Sequence, residues 1–257
     1  MLRVAAATDV GLRREHNEDA YVVWSPAEPA DRDRYGQLLV VADGMGGSAA
    51  GEVASRTAIE TVARRVRSHE DALDQALPRA LEAAHQAIHD MSREQPELAG
   101  MGTTCTAVLV RGNQVWFAHV GDSRAYLVRG GRIEQLTADH SLVAQLVQQR
   151  LMTAEQARVD PRRNVLTRSI GVGDHIDVDS GALEGGLRKG DTLLLCSDGL
   201  HGLVDDQELA GIAAGDPDAA CAALIELARE RGGHDNITVV LARFDGLAGT
   251  EPVTARD

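Results

Sequence analysis

Short apolar runs punctuate the chain at Tyr21–Trp24, Leu38–Ala42, Thr104–Val110, Val115–Val120, Ala125–Val128, Thr192–Cys196 and Ile237–Ala242. Each is strand-sized, which predicts β-strands. Between Thr104 and Leu136 the runs are separated only by RGN, GDSR and GG. Breaks that short leave no room for a crossover helix, so an antiparallel meander is expected there. Helical spacing appears in Ala54, Ala58, Ile59, Val62 and Val66, and again in Leu73, Leu77, Leu81, Ala84, Ile88 and Met91. Pro78 falls inside the second stretch and should kink or restart it. A third helix is signalled by Asp216 as N-cap, Pro217 in the first turn, apolar Ala220, Leu224, Ile225 and Leu227, and Gly232–Gly233 as the stop. This order lacks a regular βαβ alternation, so antiparallel sheets covered by helices are expected rather than a doubly wound parallel sheet. Residues 247–257 read as a frayed, disordered tail.

The polar positions that matter stand at the ends of these runs. LLVVAD ends at Asp43 before Gly44, and TLLLCSD ends at Asp198 before Gly199. Asp235 precedes NITVVLA, and Glu18 and Asp19 precede AYVVW. If these tips share one edge, their carboxylates converge, and converging carboxylates either protonate or bind a cation. An all-oxygen donor set selects a hard ion such as Mg²⁺, Mn²⁺ or Ca²⁺. Asp-Gly after a strand is also ordinary turn chemistry, and that alternative stands beside the metal site. Arg14 lies four positions before Glu18 in a loop leading to the same edge. Its guanidinium fork suits phosphate oxygens, or a surface ion pair.

Composition narrows the classes. A net charge of −13 argues against sequence-independent nucleic-acid binding, which depends on Lys and Arg. Aromatics are 3% of the chain, so the core rests on Ala, Val, Leu and Ile. Cys105, Cys196 and Cys221 are scattered, without the spacing of a thiolate metal site or a Cys-x5-Arg loop, and Cys105 and Cys196 sit in apolar runs as small core residues. The N-terminus lacks the apolar stretch of a secretory signal, and no apolar run approaches the roughly 20 residues of a membrane helix. A cytoplasmic location is the resulting expectation.

The motifs together resemble the metal-dependent protein phosphatase family, the type 2C serine/threonine phosphatases, in its bacterial single-domain form. TDVGLRREHNEDA (8–20), VVADGMGG (40–47), GMGTTC (100–105), GDSRAYL (121–127), LTADHSLV (136–143), NVLTRSIG (164–171), LLLCSDGL (193–200) and GGHDNITVVL (232–241) follow in the family's order. The resemblance implies an α+β fold, a four-layer α-β-β-α sandwich of two antiparallel sheets flanked by helices, with a flap subdomain. It implies a catalytic domain over 1–246 and two Mg²⁺ or Mn²⁺ ions. Asp43 is expected to bridge both ions and the Gly44 carbonyl to bind one, with Asp19 and Glu18 completing that ion's shell. Asp198 and Asp235 are expected on the other ion, Arg14 on the substrate phosphate, and Asp122 with Asp198 on a third, weaker metal. A turn aspartate is the equal alternative for Asp122. The implied reaction is hydrolysis of phosphoserine and phosphothreonine monoesters by direct attack of a metal-bridging water, reversing a serine/threonine kinase, with a monomeric enzyme and phosphoproteins as partners. A non-catalytic phosphopeptide-binding member and a metal-binding regulatory module are the rival readings.

Two features depart from the family or lie outside its motifs. Some members carry a histidine after the bridging Asp-Gly as general acid, or one slightly further on. Met45 and Ser48 stand near those positions here, so no general acid is evident among them. His140 and His234 flank motif residues, where a structural role is the ordinary one. Residues 144–165 carry no metal-site residue and are expected to form a flap. Thr153 with Gln156 signals a helix start, and Pro161 a stop. Leu146, Val147, Leu151 and Met152 are expected to pack on the body, leaving Arg150, Arg158, Arg162 and Arg163 outward.

Overall fold

The computed structural model describes residues 2–46, 50–68 and 71–247. The chain begins with β1 (Leu2–Asp9), β2 (Asp19–Trp24), α1 (Pro29–Tyr35) and β3 (Gln37–Met45), followed by the helix pair α2 (Ala50–Ser68) and α3 (Leu73–Glu94). It continues through β4 (Gly102–Thr103), β5 (Cys105–Arg111), β6 (Gln114–Val120), β7 (Arg124–Arg129) and β8 (Arg132–Gln135). Two short helices, α4 (Leu142–Gln148) and α5 (Ala154–Val159), precede β9 (Asp179–Ala182) and β10 (Thr192–Cys196). Helices α6 (Asp198–His201), α7 (Asp206–Ala213) and α8 (Pro217–Glu230) lead to β11 (Ile237–Phe244).

The strands form two antiparallel sheets. One has the order β1-β11-β10-β7-β8 and the other β2-β3-β5-β6-β9, with β4 paired to β3. Period-2 alternation explains why they stack. On β3, Leu38, Val40 and Ala42 face α2 and α3, while Leu39 and Val41 face the other sheet. On β10, Leu193 and Leu195 meet that second face, while Leu194 and Cys196 pack under α7 and α8. Three apolar layers therefore separate four structural ones, and the expected α-β-β-α sandwich is the observed fold.

The expected single meander is instead two hairpins in different sheets. β5 pairs with β6 in one and β7 with β8 in the other. The GDSR turn carries the chain across the gap. Its polar groups go to side chains rather than to a ladder. The Gly121 N–H donates to His140 Nδ1 at 3.1 Å, and Ser123 Oγ meets Thr104 Oγ at 2.7 Å. At Pro78, the expected site of a kink or a restart, the helix does not restart, since α3 runs through it. Leu77, Ala80, Leu81, Ala84 and Ile88 bury one continuous face that outweighs the single missing N–H. α8 starts as expected, with Asp216 accepting from the Ala219 N–H and Pro217 in the first turn.

Residues 144–165 fold as short helical pieces. Thr153 and Gln156 form a capping box, and α5 ends before Asp160 and Pro161. Val143 anchors this region, whereas Leu151, expected to pack inward, is 71% exposed. A two-residue helical face is too short to cover it. The neck is closed by a Leu142 N–H bond to the Val165 carbonyl at 2.8 Å. Ser48 and residues 248–257 of the expected tail lie outside the described residues.

Candidate metal centre

The layer between the sheets turns polar at one end, and the alternation of the strands dictates which residues appear there. Continuing the inward positions Leu39 and Val41 along β3 leads to Asp43. Continuing Tyr21 back along β2 leads to Asp19, and Val240 back along β11 leads to Thr238 and Asn236. Asp19 and Asp43 are cross-strand partners in register. Asp198 follows β10, and Asp235 precedes β11, its neighbour in the other sheet. The expected carboxylates thus gather where the tips of both sheets meet, and each perturbs the others.

Burial pushes the Asp19 carboxyl up to about 7, helped by the charges of Asp198 and Asp235 and opposed by Ser197 and Thr238. Burial pushes Asp198 up to about 6, with Asp235 adding to it and a hydrogen bond with Asp43 opposing it. Asp43 is raised well above the ordinary carboxylate range by burial and then by Asp19, Asp198, Asp122 and Asp235. Asp122 is raised too, first by burial and then by Asp198 and Asp139. Glu18 is raised by burial, with Arg14 pulling the other way. Three carboxylate oxygens, Glu18 Oε1, Asp19 Oδ1 and Asp198 Oδ1, are buried without a hydrogen-bond partner. Orphaned buried acceptors in an all-oxygen cluster match a hard divalent cation. Among the described residues no three acidic or histidine side chains already share one coordination point, so a cation would have to draw them in.

Gly44 has a packing reason beyond the carbonyl approach expected from sequence. A Cβ there would stand 2.1 Å from the Gly51 carbonyl of α2 and 2.6 Å from that of Glu18. Its N–H bonds the Glu18 carbonyl at 3.1 Å. Arg14 reaches the same edge, where Nη2 donates to Asp235 Oδ2 at 2.7 Å while the side chain stays about half exposed at 49%. Of the two sequence alternatives for Arg14, the structure shows the ion pair, on the rim of the cluster. The charge of Arg163, from the flap region, also reaches Asp198 and favours its ionised form.

Several residues of the centre escaped the sequence reading. Ser197 Oγ accepts from the Thr238 N–H at 3.0 Å and donates to Asp19 Oδ2 at 2.7 Å. His201, one helical turn after Asp198, holds the Asp122 carbonyl through Nε2 at 2.9 Å. Burial drives its pKa down to about 3, so it stays neutral. Asn236 binds three backbone groups at once. The available signal was the inward parity of Ser197, Thr238 and Asn236, polar where the strand pattern calls for apolar. Cys105, Cys196 and Cys221 are buried, and burial pushes each thiol up to about 12, which removes them as nucleophiles.

Comparison with known proteins places this arrangement. The profile described as Protein phosphatase 2C matches residues 13–237. The serine/threonine protein phosphatase PstP of Mycobacterium tuberculosis is 41% identical over 245 residues, covering 94% of this chain and 45% of PstP. The chain thus spans about half the length of that relative. The protein phosphatase PhpP of Streptococcus pneumoniae is 36% identical over 249 residues, covering 95% of this chain and 98% of PhpP. The crystal structure of the PstP catalytic domain in complex with two manganese ions superposes with a TM-score of 0.81 at 38% identity, covering 94% of this chain and 97% of that one.

Proposed function

The chain belongs to the protein phosphatase 2C family, and we propose that it is a metal-dependent phosphatase hydrolysing phosphoserine and phosphothreonine in proteins. One observation carries the proposal: Asp19, Asp43 and Asp198 gather at the seam of the two sheets with elevated pKa values, and Asp19 and Asp198 each leave a buried oxygen without a hydrogen-bond partner. Asp43 would bridge two ions, the Gly44 carbonyl, Asp19 and Glu18 would serve one, and Asp198 and Asp235 the other. Asp122, held by His201, would serve a third with Asp198. When bound, Mg²⁺ or Mn²⁺ supplies hydroxide from water near neutral pH and offsets the charge of the phosphoryl group.

The protein's own contribution is placement. Arg14 commits one amino group to Asp235 and has further N–H donors for a phosphate oxygen at the rim. Met45 has no proton to give, so the leaving oxygen takes its proton from water. The buried thiols exclude a cysteine nucleophile, which supports direct attack by water without a covalent enzyme intermediate.

The proposal includes a catalytic unit ending near residue 246, with residues 144–165 as a flap beside the cluster. Among the described residues no helix is long and apolar enough to cross a membrane. Phosphoproteins are the proposed partners, in keeping with the relatives' names; a serine/threonine kinase among them, a cytoplasmic location and a monomeric state are part of the same proposal. Hydrolysis of a phosphopeptide panel with added Mn²⁺, abolished by a chelator, is the expected result. Full turnover in excess chelator would refute it.

A further inference from the structure

Asn236 is 3% exposed and sits between Asp235 and the first residue of β11. Its Nδ2 donates to the Val10 carbonyl and to the His16 carbonyl, both at 3.0 Å. Its Oδ1 accepts from the Glu18 N–H at 2.8 Å. Turning the amide over would set oxygen against two carbonyls and NH₂ against an N–H, so the three bonds fix one orientation. The two carbonyls bracket the loop that carries Arg14. The amide therefore ties the start of that loop, its end and the entry to β2 to the strand that begins beside Asp235.

Other contacts hold the start of the loop. The Leu12 N–H bonds the Gly233 carbonyl at 2.8 Å, and Gly11, at φ +79°, donates to Asp9 Oδ1 at 2.8 Å. Asp9 is in turn gripped by Arg229 at 2.7 and 2.8 Å. All of these lie at or before residue 12. Beyond it, Asn17 Nδ2 reaches back to the exposed Thr8 Oγ1 at 2.8 Å, and the Arg14–Asp235 ion pair is that of an exposed arginine; neither surface contact holds the loop as the buried Asn236 amide does.

We infer that Asn236 is the positioning residue for Arg14, closing the loop at both ends so that the guanidinium stands over the carboxylate cluster. The inference rests on Arg14 as the phosphate contact. It assigns Asn236 no contact with substrate. Loss of its amide leaves two carbonyls and an N–H without partners and releases the far half of the loop, so Arg14 then approaches a phosphate only after the loop is ordered again.

The test combines two measurements on the full chain in saturating Mn²⁺. In Asn236→Ala the Glu18 amide, whose N–H bonds Asn236 Oδ1, should exchange hydrogen at least tenfold faster (about the scale of one or two lost bonds), while the amides of β11 stay protected. Affinity for inorganic phosphate is then measured across the cycle of Asn236→Ala, Arg14→Ala and the double variant. Arg14→Ala should weaken phosphate binding about tenfold or more in the parent and less than about twofold when Asn236 is absent. Unchanged exchange overturns the anchoring. Faster exchange with an undiminished Arg14 effect overturns the positioning. Phosphate binding indifferent to Arg14 in the parent overturns the inference through its premise, and the exchange result, which does not involve the arginine's charge, distinguishes that failure from the others. If Asn236→Ala does not fold, the same cycle with Asn236→Asp decides.

Discussion

Asp19 on β2 lies directly opposite Asp43 on β3, a like-charged pair at the end of a ladder whose neighbouring partners are Ala20 with Ala42 and Tyr21 with Val41. Like charges facing each other across a sheet destabilise it, and burial prevents water from screening them. Asparagine at position 43 would relieve the repulsion. Asp43→Asn is therefore expected to raise the Tm of the metal-free protein at pH 7 while lowering turnover on the order of a hundredfold or more. Calorimetry beside a Mn²⁺-supported assay checks both, and a variant that is active, or less stable when metal-free, would contradict the pairing.

Asp19 and Asp198 set a pH dependence. Asp19 rises from 3.8 to about 7 and Asp198 to about 6 on folding, so between about pH 4 and 7 the native state holds more protons than the unfolded one. Stability then falls as pH rises through that window. Chelated protein should lose on the order of a few kcal/mol between pH 4.5 and 7.5 from these groups. Saturating Mn²⁺ should flatten or reverse the slope, because it favours the ionised forms. Denaturant unfolding at a series of pH values, with and without chelator, reads the sign.

Ser197 passes one hydrogen bond from the β11 backbone to Asp19. Ser197→Ala orphans the Thr238 N–H and a second oxygen of Asp19. A loss of about 1–3 kcal/mol in stability is expected. The Mn²⁺ concentration for half-maximal activity should rise about 10- to 100-fold, the usual cost of removing support behind a ligand. Equal Mn²⁺ dependence in both proteins would make Ser197 a packing residue only.

Arg14→Ala should lower kcat/KM about tenfold to a thousandfold, the range for a charge-assisted contact to a phosphate. Mn²⁺ affinity should change little, since arginine ligates no cation. Normal kinetics would reduce Arg14 to a surface partner of Asp235.

In the flap, Arg158 lies exposed on α5, and Arg162 is turned back by Asp160 with bonds of 2.8 and 2.9 Å. Arg158→Ala should change kcat/KM for phosphopeptides and leave a small aryl phosphate nearly unaffected. Arg163, whose charge reaches Asp198, should affect both substrates when replaced. Equal losses on both substrates for Arg158→Ala would assign the segment to the centre itself.

Much of this was legible because strand alternation is a local property. Runs such as LLVVAD name their own inward face, and the carboxylate at the end of that face follows from counting by two. Capping signals at Asp216 and Thr153 were equally local. What stayed hidden depends on partners distant in the chain. β1 is alanine-rich and becomes a strand through eight pairings with β11. The GDSR turn looks like any hairpin connection, and its crossing between sheets depends on His140 and Thr104. Asn236 resembles a turn residue until the loop at 10–18 is folded against it.

Because one sheet contributes Asp19 and Asp43 and the other Asp198 and Asp235, the spacing within the centre is set by how the two sheets stack. The side chains that fix it include Val41, Leu195 and Val240, none of which touches the cluster's chemistry. The centre is thus a gauge of the sandwich. A trimmed methyl group deep between the sheets alters their separation, and the ion-binding constant registers that change while the fold is still intact.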